Sequence, residues 1–158
     1  NGYLMAASIR ENIDYGRDLP EEAIKRAARC AQAEEFIAAL PDGYDHDLAQ
    51  KAGNLSGGQK QRLLIARALA ASPAVIVLDD SSSALDYATD AALRRALQRE
   101  YAGATRIVVA QRVSSVKNCD LILVLDDGRV TGAGTHEELM KACAEYRAIA
   151  ETQMGEAV

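Results

Sequence analysis

Aromatic residues are scarce, at 4% of the chain with one Phe and no Trp. That argues against a stacking platform for single-stranded nucleic acid, which is built from exposed aromatic rings. Cysteine is scarce as well. Cys30, Cys119 and Cys143 are odd in number, far apart and never in a CxxC pair. A disulfide framework or a structural zinc site is disfavoured, and reduced thiols are the expectation. No apolar run approaches the ~18 residues that span a bilayer, and no signal-peptide pattern opens the chain. Neither sign of charge dominates: 18 basic and 23 acidic residues give a formal charge of -5. No net electrostatic pull toward nucleic acid or anionic lipid follows from that balance. What is present is ordinary globular material, 158 residues with 49% hydrophobic and 26% charged. This suffices for a real core in one domain or in part of a larger one. The sequence opens at Asn1 with no obvious first element, and part of a longer chain is expected.

The composition changes near residue 73. Before it the pattern is helices and loops. Ser8 with Glu11 three residues on forms a capping-box pattern for a short helix over 8–15, which Gly16 ends. Pro20-Glu21-Glu22 suits the first turn of a second helix reaching about Gln32, with Ala23, Ile24, Ala27, Ala28 and Ala31 along one face. A third piece over 34–40 stops at the turn cluster Pro41-Asp42-Gly43, and 44–54 reads as loop. Ser56 is the expected N-cap of a helix over 60–71, which Ser72-Pro73 ends.

After residue 73, β-branched runs alternate with helices. The run 74–78 is continuously apolar, as for a strand covered on both faces. A helix over 89–99 and further apolar strands over 107–110 and 121–125 follow. Asp127-Gly128 is a tight hairpin signal that should return 129–131 antiparallel to the last of these. Thr135 with Glu138 is a second capping box, opening a helix to about Thr152. The order points to an α/β architecture with a helical subdomain in front, 1–72, and a strand-containing part, 73–158.

Three places carry candidate chemistry. Leu55-Ser56-Gly57-Gly58-Gln59 stands at a helix start, where unpaired N–H groups and a positive partial charge point outward. Two glycines permit close backbone approach and Ser56 adds a hydroxyl, which together suit phosphate. Asp79-Asp80 closes an apolar strand, and Gln111 closes another. Plainer readings exist for other features. His46 and His136 read as surface residues, Arg94, Arg95 and Arg99 as a solvated helix face, and the cysteines as small core or surface residues.

The ordered set Leu55 to Gln59, then Gln59-Lys60-Gln61-Arg62 and Ile65-Ala66-Arg67-Ala68-Leu69, then Asp79-Asp80, then Ser83-Ala84-Leu85-Asp86 closely resembles the ATP-binding domain of ABC transporters. Leu55 to Gln59 matches the family signature, Val75 to Asp79 the Walker B strand, and Ser83 to Asp86 the D-loop. Three flanks resemble the exporter branch: Ile9-Arg10-Glu11-Asn12-Ile13, Leu40-Pro41-Asp42-Gly43-Tyr44, and Gly134-Thr135-His136-Glu137-Glu138-Leu139. No GxxxxGK[ST] stretch occurs in the sequence. The resemblance therefore implies the C-terminal two thirds of one ATPase domain with a P-loop NTPase-like fold, a piece that alone should bind ATP poorly and be inactive.

The resemblance further implies ATP and Mg2+ as cofactors, with Asp79 holding Mg2+, usually through water. It implies a head-to-tail dimer with a second ABC ATPase domain, a transmembrane domain as partner, no nucleic acid, and a place on the cytoplasmic face of a bacterial cell membrane. In that dimer Leu55, Ser56, Gly57, Gly58 and Gln59 would complete the partner's ATP site, and Ser83 to Asp86 would line the interface. Two positions depart from the family. Asp80 stands where the family usually has Glu, and Gln111 where it usually has His. Asp is shorter by one methylene, about 1.5 Å of reach, and a ~1 Å displacement can cost ~10²-fold in rate. A glutamine amide donates a hydrogen bond but neither carries charge nor titrates. Both departures fall beside the expected hydrolytic water, which resembles the degenerate-site half of a heterodimeric exporter. The stretch His46 to Ala52, where exporters contact the membrane domain, lacks the usual glycines, so no coupling contact is assigned. Two other readings stand beside this one: a soluble ABC-type ATPase of DNA repair or translation, and a nucleotide-binding regulatory module without hydrolysis.

Overall fold

The computed structural model describes residues 2–49, 52–81 and 83–155. Gln50 and Lys51, within the stretch compared with the membrane-domain contact, lie outside the described residues. The chain packs as two compact units, one up to Ile107 and one from Val108 on.

The first unit opens with three helices, α1 (Ile9–Asp14), α2 (Glu21–Cys30) and α3 (Glu34–Ala38), then a 3-10 turn (Gly43–Asp45) and α4 (Gly57–Ala70). The capping box at Ser8 forms as expected. Its hydroxyl accepts from the Glu11 N–H at 3.1 Å, and the Glu11 carboxylate accepts from the Ser8 N–H at 2.8 Å. Tyr15 rather than Gly16 ends α1, in the left-handed conformation at φ 55. Its ring lies under the Arg67 guanidinium at 4.6 Å. Both α1 and α2 lay their apolar faces on α4, burying Ile9, Ile13, Ile24, Ala27 and Ala28 against Leu63, Ala66 and Leu69. Small residues on α2 let the backbones approach closely.

Asn12 is a fully buried amide in this packing. Its Oδ1 accepts from the Met5 N–H at 2.8 Å and from Arg67 Nη2 at 2.7 Å, while Nδ2 donates to the carbonyls of Met5, Ala7 and Ser8. Arg67 also donates to the carbonyls of Asn12 and Tyr3. Burial lowers the Arg67 pKa, and its hydrogen bonds are to neutral oxygens on α1 and on the segment before it.

Strand β1 (Val75–Asp79), helix α5 (Tyr87–Glu100) and strand β2 (Thr105–Val109) follow, with β1 and β2 side by side in one sheet. A strand–helix–strand crossover is the connection of a parallel pair. The expectation of strands covered on both faces is not met by this chain. In β1, Ile76 and Leu78 are buried but Val75 and Val77 are 54% and 61% exposed, and in β2 Ile107 and Val109 are exposed as well. Burial therefore alternates along β1, and no residue of β2 is buried.

In the second unit, α6 (Val113–Val116) precedes the hairpin of β3 (Ile122–Asp126) and β4 (Arg129–Gly134). Asp127 and Gly128 both have positive φ, 45 and 73, as a tight primed turn requires. The strands pair antiparallel from Asp126↔Arg129, with a bulge where Val124 meets Gly132 and Leu125 meets Val130. The expected single helix to Thr152 is two helices, α7 (His136–Ala142) and α8 (Ala144–Gly155). Extended Cys143 separates them at φ -113, ψ 111. The break lets Leu139 on α7, Cys143 itself, and Tyr146 and Ala150 on α8 all reach one core with Ile122 and Val124. Gly132 makes the room, since a Cβ there would stand 2.9 Å from the Cys143 sulfur.

Candidate functional site

The turn at Ser56 is built almost entirely from its own residues. Ser56 Oγ accepts from the Gln59 N–H at 3.2 Å, and Gln59 Oε1 accepts from the Ser56 N–H at 2.9 Å. The first regular helical bond runs from the Lys60 N–H to the Ser56 carbonyl. Of the N–H groups that a helix start leaves without an intrahelical acceptor, those of Gly57 and Gly58 remain for an external anion. Ser56 and Gly57 are exposed, while Leu55 is buried and anchors the turn.

The two glycines do different things. A Cβ on Gly57 would meet nothing within 4 Å, so this position faces open space. A Cβ on Gly58 would stand 3.0 Å from the carbonyl oxygen of Ala84. The second glycine thus serves close packing on the loop of Ser83 to Asp86, a contact that spacing alone did not reveal. Arg62 braces the same turn, donating to the carbonyl of Gln32 at 2.7 Å and to that of Gly58 at 3.4 Å, with its guanidinium 4.8 Å over the Phe36 ring.

The loop after β1 begins with Asp80 in the left-handed region at φ 46. Its carbonyl accepts from the Ser83 N–H at 3.3 Å and from Ser83 Oγ at 3.0 Å. Leu85 is buried, and Asp86 caps α5 by accepting from the Thr89 N–H at 2.9 Å and Thr89 Oγ1 at 2.7 Å. The Thr89 N–H holds the Asp86 carboxyl below the usual carboxylate range. A chain of contacts therefore runs from Gly58 through Ala84 and Ser83 to Asp80.

Asp79 and Asp80 both present exposed side chains at the strand end. Hard carboxylate oxygens suit Mg2+, which takes one or two of them together with phosphates and water. Among the described residues, no group of three or more His, Cys, Asp or Glu side chains could cage a metal. The carboxylate expected to hold the ion, Asp79, fits one that arrives with a nucleotide.

Gln111 lies in the second unit, just after β2, with its side chain exposed. Its carbonyl accepts from Gln153 Nε2 at 2.7 Å, and Gln153 Oε1 accepts from the Val113 N–H at 2.8 Å. Nothing in the sequence pattern drew attention to Gln153. Both histidines are half-buried and partnered rather than free on the surface. His46 Nε2 lies 3.2 Å from Asn54 Nδ2, and His136 Nδ1 lies 2.9 Å from the Tyr146 hydroxyl. Arg94 is likewise drawn to Asp90, which is buried, at 3.0 Å. Burial pushes the Cys30 thiol up to about 12, so it is a core thiol and not a nucleophile at neutral pH.

The family model described as ABC transporter matches residues 3–83, from the segment before α1 through the first residue of the Ser83 loop. The chain belongs to the ABC transporter family. It is 44% identical over 152 residues to the uncharacterized ABC transporter ATP-binding protein YknU of Bacillus subtilis, covering 96% of this chain and 26% of that protein. It is 45% identical over 151 residues to P-glycoprotein 14 of Caenorhabditis elegans, covering 95% of this chain and 11% of that protein. Against the mouse mitochondrial potassium channel ATP-binding subunit the identity is 45%, over 95% of this chain and 21% of the relative. The structure of a bacterial Atm1-family ABC exporter with ATP bound superposes with a TM-score of 0.91 at 36% identity, over 97% of this chain and 27% of that one. This ABC chain thus spans about a quarter or less of the length of these relatives. Among the described residues, no helix is long and apolar enough to cross a membrane.

Proposed function

We propose that this chain is the ATP-binding and ATP-hydrolysing part of an ABC exporter, acting at the cytoplasmic face of a membrane beside a transmembrane domain. Two such domains close head to tail around ATP, and closure drives transport. The observation that carries this reading is the self-capped turn at Ser56. It leaves the N–H groups of Gly57 and Gly58 without an intrahelical acceptor, as the completion of a phosphate site in a neighbouring subunit requires. Leu55, Ser56, Gly57, Gly58 and Gln59 form the mouth that meets the partner's nucleotide, and Gly58 also seats the Ser83 to Asp86 loop at the dimer interface. Asp79 holds Mg2+ with the nucleotide phosphates. Residues 1–72 act as the helical subdomain and 73–158 as part of the catalytic core, together one incomplete ATPase domain. The soluble-ATPase alternative has no support in the relatives above, whose names are those of transporters and a channel subunit.

The finer part of the proposal concerns catalysis. Asp80 and Gln111 replace the residues that usually position the hydrolytic water, and they make this subunit's own site the slow one of a heterodimer. The intact signature keeps the partner's site fast. The test is ATP turnover by the full-length assembled pair carrying Asp80→Glu together with Gln111→His. Turnover should rise, on the order of twofold, as a second site approaches the rate of the first. A pair whose turnover does not change has no slow site of this kind.

A further inference from the structure

The turn that carries Gln111 has an unusual support. Helix α6 starts at Val113, and its N-cap is Arg112, which makes no side-chain capping bond. Arginine has only donors, so it cannot accept from the N–H groups of a helix start. Those groups need an acceptor from elsewhere. The acceptor is Gln153 Oε1, 2.8 Å from the Val113 N–H and 40 residues along the chain. The other half of the same amide, Nε2, donates to the Gln111 carbonyl at 2.7 Å. One planar carboxamide thus spans the turn from Gln111 to Val113, offering its donor and its acceptor to a backbone carbonyl and a backbone N–H two residues apart. Only one orientation of the amide satisfies both.

Gln153 is firmly mounted. On α8 it follows Tyr146 and Ala150 at intervals of four and three residues, so the three share a helix face. Tyr146 and Ala150 are 4% and 1% exposed, packed in the core that also holds Val113. Both ends of the clamp therefore rest on the same cluster. We propose that Gln153 is a positioning residue for ATP hydrolysis: its carboxamide fixes the backbone of the Gln111–Val113 turn and so sets where the Gln111 side chain stands. The inference rests on the reading above that Gln111 is the switch residue. Asp, Glu or a hydrophobic residue at 153 cannot do the same, because each lacks a donor, an acceptor, or both.

The test uses the full-length assembled protein, with Gln153→Met (similar in size, neither donor nor acceptor) and Gln153→Glu (acceptor kept, donor lost). All are made in a Ser56→Arg background, which silences the partner's ATP site so that the remaining turnover is that of this subunit's own site, once with Gln111 kept and once with Gln111→Ala. Two quantities are measured, hydrogen exchange at the Val113 amide and steady-state ATP turnover. Gln153→Met should speed Val113 exchange about tenfold, the effect of one lost hydrogen bond. It should lower kcat roughly threefold to tenfold while leaving KM for ATP unchanged. Gln153→Glu should leave Val113 protected yet still lower kcat. In the Gln111→Ala background, Gln153→Met should have almost no further effect on kcat. Unchanged exchange at Val113 would remove the clamp. An equal kcat loss in both backgrounds would make Gln153 merely structural. Unchanged turnover on Gln111→Ala in the Ser56→Arg background would instead overturn the assignment of Gln111, and the catalytic purpose of the clamp with it.

Discussion

Two turns in this molecule meet the same need by opposite means. The turn at Ser56 must fix a helix start, and it does so with residues three apart, Ser56 and Gln59. The turn at Gln111 must also fix a helix start, but Arg112 cannot cap it, and the cap comes from Gln153. The local solution leaves a spacing that a reader of the sequence can see. The remote one leaves only a glutamine near the end of a helix. A second contrast lies within the first turn, where Gly57 faces open space and Gly58 faces the Ala84 carbonyl.

The remotely held parts should be the more fragile, and the largest effect on stability is expected at Asn12. Asn12→Leu leaves the Met5 N–H, three backbone carbonyls and an Arg67 donor to find new partners in a buried place. Urea unfolding should show a loss of about 3 kcal/mol or more. A loss below that of a simple cap would contradict the role given to this amide. The two glycines should separate next. Gly58→Ala pushes on the Ala84 carbonyl and so shifts the Ser83 to Asp86 loop proposed for the dimer interface, and kcat should fall roughly tenfold. Gly57→Ala should chiefly raise KM for ATP. Matching kinetic profiles would erase the distinction.

Removing the local cap should cost less. Ser56→Ala should lower stability by about 1 kcal/mol, the usual value of an N-cap, and thermal unfolding measures it. The smallest effect is a pH dependence. The carboxylates of Glu11 and Glu138 are held below the usual carboxylate range by the N–H groups of Ser8 and Thr135. Their contribution is present above that range and is lost as pH falls through the lowered values. Gln59 occupies the matching place in the Ser56 turn and does not titrate. On acidification, amide NMR shifts at Ser8 and Thr135 should move while those at Ser56 stay flat. Movement at all three would tie the Ser56 turn to some other titrating group.

Legibility followed range along the chain. The capping boxes at Ser8 and Thr135 and the Asp127-Gly128 hairpin were readable because each is complete within a few residues. The family motifs were readable for the same reason, and they located the Ser56 turn, the Asp79-Asp80 strand end and Gln111. What escaped was tertiary. Arg67 and Asn12 join loop to helix over 55 residues, and Gln153 joins α8 to the Gln111 turn. The break at Cys143 has no proline or glycine to announce it, because it comes from burying both flanking helices in one core. The strand near residue 76 was misread on one face because an apolar run reports what a strand can bury, not what the rest of this chain places over it.

The central claim is that the Ser56 turn completes an ATP site in a partner subunit. Ser56→Arg fills the mouth of that turn without touching Asp79, Asp80 or Gln111, and ATP turnover by the full-length assembled pair reads the result. The account predicts a loss of about 10²-fold, as when a preorganised donor is taken from a developing charge. Turnover equal to that of the unaltered pair would contradict it.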